Sequence, residues 1–567
     1  MNFEKFAFEG EAGPTKIIYD VLPRPIQPRH VFETFQTEEI LKLIRDESEL
    51  HRLRKGEKSK GKARSRILSA KPIEIADLRI MDSILCTMGI IKLPCISQYW
   101  STRSILKTEF IRKIMSRDRF YDVFHSLHFS SLNSTENNGD KLYKVRELVT
   151  KYKNVFKENY IPEENISIDE SLELWKGGRV AFKVYIPRKK CKNGFQQFRL
   201  CEARSGYCYD FEYFSSNEKE VYERDEIHGI DVSDFTTPAK VVLHLLEPLL
   251  NLGYTVGVDN LYTDPRLFEF LLKHKTNAVG TFRSTRKYLP KGTDGEKIKL
   301  GDHKSWFQKV VDDRGLMVMT WKDKKPVRLM STFHSDNFIH VPDQSRRYKD
   351  KSATKRKPQV CVEYKAIMPG VDKMDQMMSA YDLTRKRMSR YYRRIYFTML
   401  EMCYYNAFVV YNQLCEADQK LNYLEFKLRV VEDSIRTYGH QQVEIPDDVI
   451  IPMENFTALC SMKSQGSDYQ KDPVERLQLG WHFPVKTETG KNGKHLSKTC
   501  IYCRSQTVKM YKNSVPPRTS WLCCLCKVPL CVECFFPFHT IPDYQNYNKH
   551  NQQIISGSGN NEETDEM

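Results

Sequence analysis

SDFTTPAKVVLHLLEPLLNLGYTVGVDNLYTDPRLFEFLLKHKTNAVGTFRS, residues 233–284, is the stretch that decides the fold. Its opening reads as a helix with a Ser/Asp start and a Gly stop at Gly253. YTVGVDN (254–260) is a buried-type strand that ends on Asp259-Asn260. DPRLFEFLLKHKTNA (264–278) is a second helix with Pro265 in its first turn, and AVGTFRS (278–284) is a second strand. Upstream, NISIDESLEL (165–174) is a strand pattern, followed by RVAFKVYIP (179–187) and FQQFRLCEARSGYCYDFEYF (195–214). The last segment holds two alternating runs joined across ARSGY, which is hairpin chemistry.

The order is therefore three strands in hairpin succession, then helix, strand, helix, strand. This is the order of the ribonuclease-H-like fold of polynucleotidyl transferases, a likeness of fold that does not by itself establish chemistry. The expected class is α/β: a ribonuclease-H-like core interrupted by a β-rich insertion, with an α-helical N-terminal domain and a C-terminal cysteine-rich zinc module. Residues 1–25 read as a flexible arm and 26–150 as the helical domain, with the basic run HRLRKGEKSKGKARSR (51–66) as a loop within it, either a solvated surface segment or a DNA-contacting or nuclear-import one. The core occupies 151–286 and resumes at 362–440. Between them, 287–361 carries the hairpin LMVMTWKDKKPVRLMSTFH (316–334) and a mobile basic tail, QSRRYKDKSATKRKPQ (344–359). Residues 441–494 read as a linker, 495–545 as the zinc module and 546–567 as an acidic tail.

The chain has 567 residues, a net charge of +16 and a sequence pI of about 9.0. That balance favours a polyanionic partner such as nucleic acid. No apolar run approaches the roughly 20 residues needed to span a bilayer, and the N-terminus lacks the pattern of a secretory signal. An intracellular setting follows, in which the 16 cysteines are expected as thiols or metal thiolates.

Phosphodiester cleavage and strand transfer need an activated nucleophilic oxygen and a stabilised leaving oxygen, work done by two divalent metals about 3.5–4 Å apart. Mg²⁺ or Mn²⁺ prefers oxygen ligands, so carboxylates from distant parts of the chain must converge. Asp169 follows the strand Ile166–Ile168, Asp259 ends the strand Thr255–Val258, and Asp372 opens a helix with Asp375 three residues on. Each has a structural alternative. An Asp at a strand end often makes an Asx-turn, and Asp372 reads as an N-cap with Asp375 at N3. Just beyond, Arg385, Lys386, Arg387, Arg390, Arg393 and Arg394 alternate with Tyr391 and Tyr392, either as a guide for a DNA backbone or as a solvated helix face.

KTCIYCRSQTVKMYKNSVPPRTSWLCCLCKVPLCVECFFPFHT (498–540) contains three CxxC pairs: Cys500/Cys503, Cys523/Cys526 and Cys531/Cys534, followed by His539. Paired ligands with short spacers suit tetrahedral Zn²⁺. The set points to two zinc ions in a cross-braced layout, with Cys524 surplus and His495 or His550 as candidates for an eighth ligand. Three such pairs are hard to obtain by accident. The flanking Lys491, Lys494, Lys498, Lys509, Lys512 and Arg518 favour nucleic-acid phosphate.

SIDES (167–171) with a following YIP (185–187), GVDNLYTDPRLFEFL (257–271) and MPGVDKMDQM (368–377) resemble the three catalytic blocks of the piggyBac transposase family. YWSTRSI (99–105), MSRDRFYDVFHSLHF (115–129) and the cysteine module are similar to that family too. The resemblance implies that Asp169, Asp259 and Asp372 are the catalytic carboxylates, with Asp375 as an accessory fourth. It implies cut-and-paste transposition by a nick and a hairpin at transposon ends in double-stranded DNA, insertion at TTAA without a footprint, a homodimer and a nuclear location. It also implies that the helical domain, 26–150, serves dimerisation and DNA binding and that the zinc module helps recognise the terminal repeats. Two other readings stand beside it: a domesticated DNA-binding descendant without transposition, and a zinc-based interaction protein, which leaves the long α/β region unexplained.

Overall fold

The computed structural model describes residues 3–58, 70–130, 139–187, 192–215, 226–227, 230–342, 354–383, 388–439, 484–488, 495–504, 517–523, 526 and 528–540. The chain divides into two units, Met1–Glu444 and Ile445–Met567.

In the first unit the strands are β1 (Gly13–Pro14), β2 (Tyr160–Ile161), β3 (Asn165–Leu174), β4 (Val184–Tyr185), β5 (Asn193–Glu202), β6 (Cys208–Tyr213), β7 (Glu226–Ile227), β8 (Ile230–Asp231), β9 (Thr255–Val258), β10 (Asn277–Thr281), β11 (His303–Val311), β12 (Arg314–Lys322), β13 (Pro326–Ser331), β14 (Phe338–Pro342) and β15 (Thr354–Pro358). The helices are α1 (Lys16–Val21), α2 (Pro28–Phe35), α3 (Glu38–Lys58), α4 (Ile75–Ile90), α5 (Glu109–Ile114), α6 (Arg117–Ser126), α7 (Arg146–Asn159), α8 (Thr237–Leu246), α9 (Pro265–Lys273), α10 (Gln359–Ile367), α11 (Gly370–Ala380), α12 (Tyr391–Leu414) and α13 (Tyr423–Tyr438).

One sheet runs β11–β12–β13–β10–β9–β3–β5–β4, with β6 also paired to β5. β3, β5 and β6 are antiparallel neighbours, whereas β9 runs parallel to β3 and β10 parallel to β9. The expected strand, helix, strand, helix, strand order is the one observed. β9 is buried at all four positions, as a parallel strand covered on both faces must be. Asp264 accepts the amide of Arg266 at 3.0 Å and caps α9, with Pro265 at its first position.

The reading of 287–361 as a separate insertion is corrected in part. β13 pairs with β10, and β12 and β11 follow, so three insertion strands extend the core sheet. Without them the β10 edge would present unpaired backbone groups. Met317, Met319, Trp321 and Leu329 share one core with Val279 of β10. β14 and β15 form their own two-stranded ribbon.

The flexible arm is corrected as well. Phe3 is buried against Phe307, Phe8 packs edge-on to Tyr254 at 4.8 Å, and Arg314 lies 4.3 Å over Phe6. Asn277 bonds the backbone of Phe6 in both directions, and β1 pairs with β2. The strap passes so close that a Cβ on Gly253 would stand 1.8 Å from Ala7 O, and Gly253 has φ +73°. In the helical part, the basic run expected as a loop from residue 51 is helical through Lys58. The rest of that run falls on 59–69, outside the described residues, as do the basic tail from 343 to 353, the linker to 483 and the acidic tail.

The helical part and α12–α13 make one body. Phe32 stacks on Tyr404 at 4.2 Å. Gln36 Nε2 and Tyr396 Oη donate to the buried Asp82 at 2.8 and 2.7 Å, and Tyr152 Oη donates to Gln36 Oε1 at 2.6 Å. Lys427 and Glu401, both buried, pair at 2.5 Å. The second unit has β16 (Pro484–Lys486), β17 (Lys498–Thr499), β18 (Arg518–Thr519), β19 (Trp521–Cys523) and α14 (Val532–Thr540). β16, taken from the expected linker, pairs with β19.

Burial pushes the Asp82 carboxyl up to about 7, against the lowering bonds from Tyr396 and Gln36. An unfolded Asp titrates near 4, so the folded chain holds an extra proton between these values. That contribution to stability is full below about 4 and is lost as pH rises through about 7. Asp82→Asn is expected to flatten the fall of the melting temperature between pH 5 and pH 8 by a few degrees. Identical falls in parent and variant would refute the assignment.

Candidate active site and cysteine clusters

The β3–β9 ladder sets Ser167 beside Gly257 and Ile168 beside Val258. The next residues are Asp169 and Asp259, so two acids 90 positions apart come side by side and project to one face. Asp169 Oδ1 accepts the Glu170 amide at 2.8 Å, and Asp259 Oδ1 accepts the Leu261 amide at 2.6 Å. Burial pushes Asp169 up to about 8, and Glu170 and Asp259 add to it. Burial also raises Asp259, against the Leu261 amide. Two half-buried carboxylates that resist ionising together suit a dication, which removes the repulsion. Their hard oxygen donors fit Mg²⁺ or Mn²⁺.

α10 and α11 cover the same face. A Cβ on Gly257 would lie 2.7 Å from Ile367 Cγ2, and one on Gly370 would lie 2.5 Å from Ser167 Oγ and 2.8 Å from Glu202 O. Lys373 Nζ grips Ala203 O and Arg204 O at 2.7 and 3.0 Å. Asp372 is exposed in the first turn of α11, at N3 rather than at the N-cap, which Pro369 occupies. Among the described residues, Asp169, Asp259 and Asp372 do not form a group with all ligand atoms within 4.8 Å.

Asp375 is committed elsewhere. Its carboxylate accepts Ser171 Oγ at 2.8 Å and Arg199 Nη1 at 2.7 Å. It fastens α11 to β3 and β5 and so positions the helix that carries Asp372. Arg199 stands opposite Asp169 in the β3–β5 ladder and is 2% exposed. Sequence reasoning missed it, although an arginine inside the apolar strand pattern FRLC was the available signal. It missed Tyr364 of α10 as well. Burial pushes that phenol up to about 12, with a bond from Thr281 opposing and Asp259 and Asp169 adding.

The basic helix needs correction. Arg394 is buried and pairs with the buried Glu173 at 3.1 Å, since an arginine taken out of water needs a counter-charge. Arg393 is buried and donates to the carbonyls of His125 and Leu127. Arg390 is exposed. Arg385, Lys386 and Arg387 lie outside the described residues.

In the second unit, Cys500, Cys503, Cys531 and Cys534 bring four sulfurs within 4.8 Å of one another, and Cys523, Cys526 and His539 form a second group. The first and third CxxC pairs thus share one centre while the middle pair joins the histidine, the crossed layout expected from the spacing. His539 Nδ1 donates to Phe535 O at 2.7 Å, which leaves Nε2, 3.5 Å from Cys526 Sγ, as the ligating nitrogen. Tetrahedral sulfur and imidazole donors suit a metal of the zinc kind. His495 joins neither group; its Nδ1 bonds Thr487 O at 2.6 Å. Cys524 and His550 lie outside the described residues.

Residues 27–408 match the family described as Transposase IS4. The chain is 24% identical over 421 residues to human PiggyBac transposable element-derived protein 3, covering 73% of this chain and 65% of that one. It is 22% identical over 354 residues to human PiggyBac transposable element-derived protein 2, covering 62% and 57%. It therefore spans less than two thirds of either relative's length. The cryo-EM structure of a piggyBac transposase synaptic complex with hairpin DNA shares its fold, with a TM-score of 0.63 and 21% identity over 92% of this chain and 98% of that one. This chain belongs to the piggyBac transposase family.

In this piggyBac family member the approach of α11 to the sheet depends on residue 370 having no side chain. Gly370→Ala is expected to push the helix off Ser167 and Glu202 and to destabilise the first unit by about 1–3 kcal/mol. Chemical denaturation followed by circular dichroism reads this directly, and an unchanged midpoint would refute the close approach.

Proposed function

We propose that this chain is a metal-dependent DNA transposase that excises an element from double-stranded DNA and inserts it at TTAA. One observation carries the reading: Asp169 and Asp259 end up side by side on neighbouring parallel strands, on the face that the Asp372 helix covers. Asp169, Asp259 and Asp372 are the residues that would hold divalent cations in a ribonuclease-H-like site. Bound there, Mg²⁺ or Mn²⁺ would supply the charge that activates the attacking oxygen and steadies the leaving one. The chain's own part is placement. Asp375, pinned by Arg199 and Ser171, holds α11 over β3, and Tyr364 walls the two acids from the side. The structural neighbour's capture with hairpin DNA in a synaptic complex supports DNA as the partner. A homodimer and a nuclear location complete the proposal.

The human relatives carry names that mark them as derived from transposable elements, which supports a second reading, a DNA-binding descendant that no longer transposes. One assay separates the two. In cells that carry a matching TTAA-flanked element, the parent chain is expected to excise it, and Asp169→Ala to lose more than about a hundredfold. No excision by the parent, or equal excision by the variant, sinks the enzyme reading.

The cysteine clusters are proposed as two zinc centres. Elemental analysis of the purified chain is expected to give about two zinc ions, falling to about one in Cys500→Ser and about one in Cys523→Ser. A content unmoved by either substitution would rule the centres out.

A further inference from the structure

A buried hydroxyl at the acidic strand ends finds no partner within the chain. Tyr262 is fully buried, and its Oη completes no hydrogen bond. The residue lies three positions past Asp259, in a turn wound on that acid's own carbonyl. The amides of Tyr262 and Thr263 reach Asp259 O at 3.3 and 3.1 Å, and Thr263 Oγ1 donates to it at 2.8 Å. The turn sets the Tyr262 ring edge-on to Phe198 of β5, with the centroids 6.3 Å apart.

Phe198 stands opposite Glu170 in the β3–β5 ladder, so these two side chains share a face of the sheet. Asp169 stands opposite Arg199, which turns to Asp375 of α11 on the other face. Tyr262 and Glu170 therefore lie behind the strand acids, on the side that α11 does not cover. Glu170 still reaches both acids: after burial it is the carboxylate that most raises Asp169, and it raises Asp259 as well. Burial pushes the Tyr262 phenol well above its usual range, and Glu170, Asp169 and Asp259 add to it. The hydroxyl thus faces three acids, with Glu170 first among them.

We propose that Glu170 and Tyr262 are positioning residues for the divalent-cation site, with Tyr262 Oη donating to Glu170 and Glu170 steadying Asp169 and Asp259 from behind. The inference rests on the proposed metal-dependent reading of those acids and adds the pair that orients them. Carboxylates that ligate a metal are themselves held by hydrogen-bonding neighbours, and those neighbours tune the affinity. Asp375 does not fill that place, since it is engaged by Ser171 and Arg199. The physical link is electrostatic. A dication on the strand acids offsets the negative charge that crowds Glu170, and a carboxylate so relieved can turn to the phenol in a charge-assisted bond. The hydroxyl is then a burden in the metal-free chain, where its desolvation is not offset, and an advantage once the acids hold their cation.

That reversal of sign is the test. It uses the full chain with Mn²⁺ as the probe, binding being read by electron paramagnetic resonance and stability by thermal unfolding. Asp169→Ala marks the share of bound Mn²⁺ that belongs to this site. Tyr262→Phe keeps the ring on Phe198 and removes the hydroxyl alone. Without metal it is expected to melt at or above the parent's temperature, and its Mn²⁺ affinity is expected to fall about tenfold. Glu170→Gln is expected to lower the affinity about ten- to hundredfold. A tyrosine with a purely structural role would do the opposite, lowering the metal-free melting temperature and leaving the affinity alone. That result, or an affinity unmoved in both folded variants, overturns the positioning role and leaves the metal reading intact. Equal Mn²⁺ binding by the parent and Asp169→Ala overturns both.

Discussion

The candidate site depends on how closely α10 and α11 approach the sheet. At Gly257 and Gly370 that approach leaves no room for a Cβ, and the neighbours at 370 include the Glu202 carbonyl, which cannot rotate aside. Close approach has a steric requirement and a polar one. The steric requirement is met by glycine and the polar one by Ser171, Arg199 and Asp375, which exchange hydrogen bonds under α11. Arg199 is buried while the Asp375 side chain stays 40% exposed, and such a pair adds little net stability because the arginine has been taken out of water. What it provides is register, because Asp375 can reach Arg199 in one placement of the helix, and that placement fixes how α11 lies on β3 and β5.

A second set of buried polar contacts ties distant parts of the chain together. Gln36 of the α2 end, Asp82 of α4, Tyr152 of α7 and Tyr396 of α12 form one hydrogen-bonded group. Lys427 and Glu401 pair with no exposure to speak of, and Tyr423 donates to the same carboxylate at 2.6 Å. Arg394 reaches from α12 to Glu173 on β3. These contacts explain why segments separated by hundreds of residues fold as one body. α12 is the shared element, and most of its length is buried. Its mean composition looks amphipathic in sequence, with arginines and tyrosines among the apolar residues, but Arg394 turns inward to Glu173, Arg393 to the carbonyls of His125 and Leu127, and Tyr396 to Asp82.

The legible parts of the sequence were those in which local pattern and chemistry coincide. The run from 233 to 284 alternates between helical and strand periods with clear stops, and its elements appeared in the expected order. The cysteine pairs were legible because metal-ligand spacing is a local property, and the structure crosses them as the spacing implied. What was not legible depended on contacts over long separations. Phe3, Phe6 and Phe8 looked like an arm because nothing local reveals that Tyr254, Phe307 and Arg314 wait to receive them. The 303–331 strands looked like a separate insertion because an exposed edge on β10 cannot be seen from sequence. Arg394 looked like a ligand for phosphate, since a basic run gives no sign of which members turn inward. Arg199 was passed over because a lone arginine in an apolar strand pattern does not show which distant carboxylate, here Asp375, it meets.

The positive balance of the chain acquires meaning from where charge is left unmatched. Several buried or half-buried cations in the first unit have carboxylates beside them, as Arg29 has Glu33 and Asp433 and Lys153 has Glu212. Two places differ, in opposite directions. At Asp169 and Asp259, burial and mutual repulsion disfavour the negative form. At His51, Lys55 and Arg393, burial and mutual repulsion disfavour the positive form. Neither arrangement improves the stability of the folded chain by itself, and a protein selected for stability alone would separate such charges or pair them. Both become favourable on contact with a ligand of opposite sign, a cation in one case and an anion in the other.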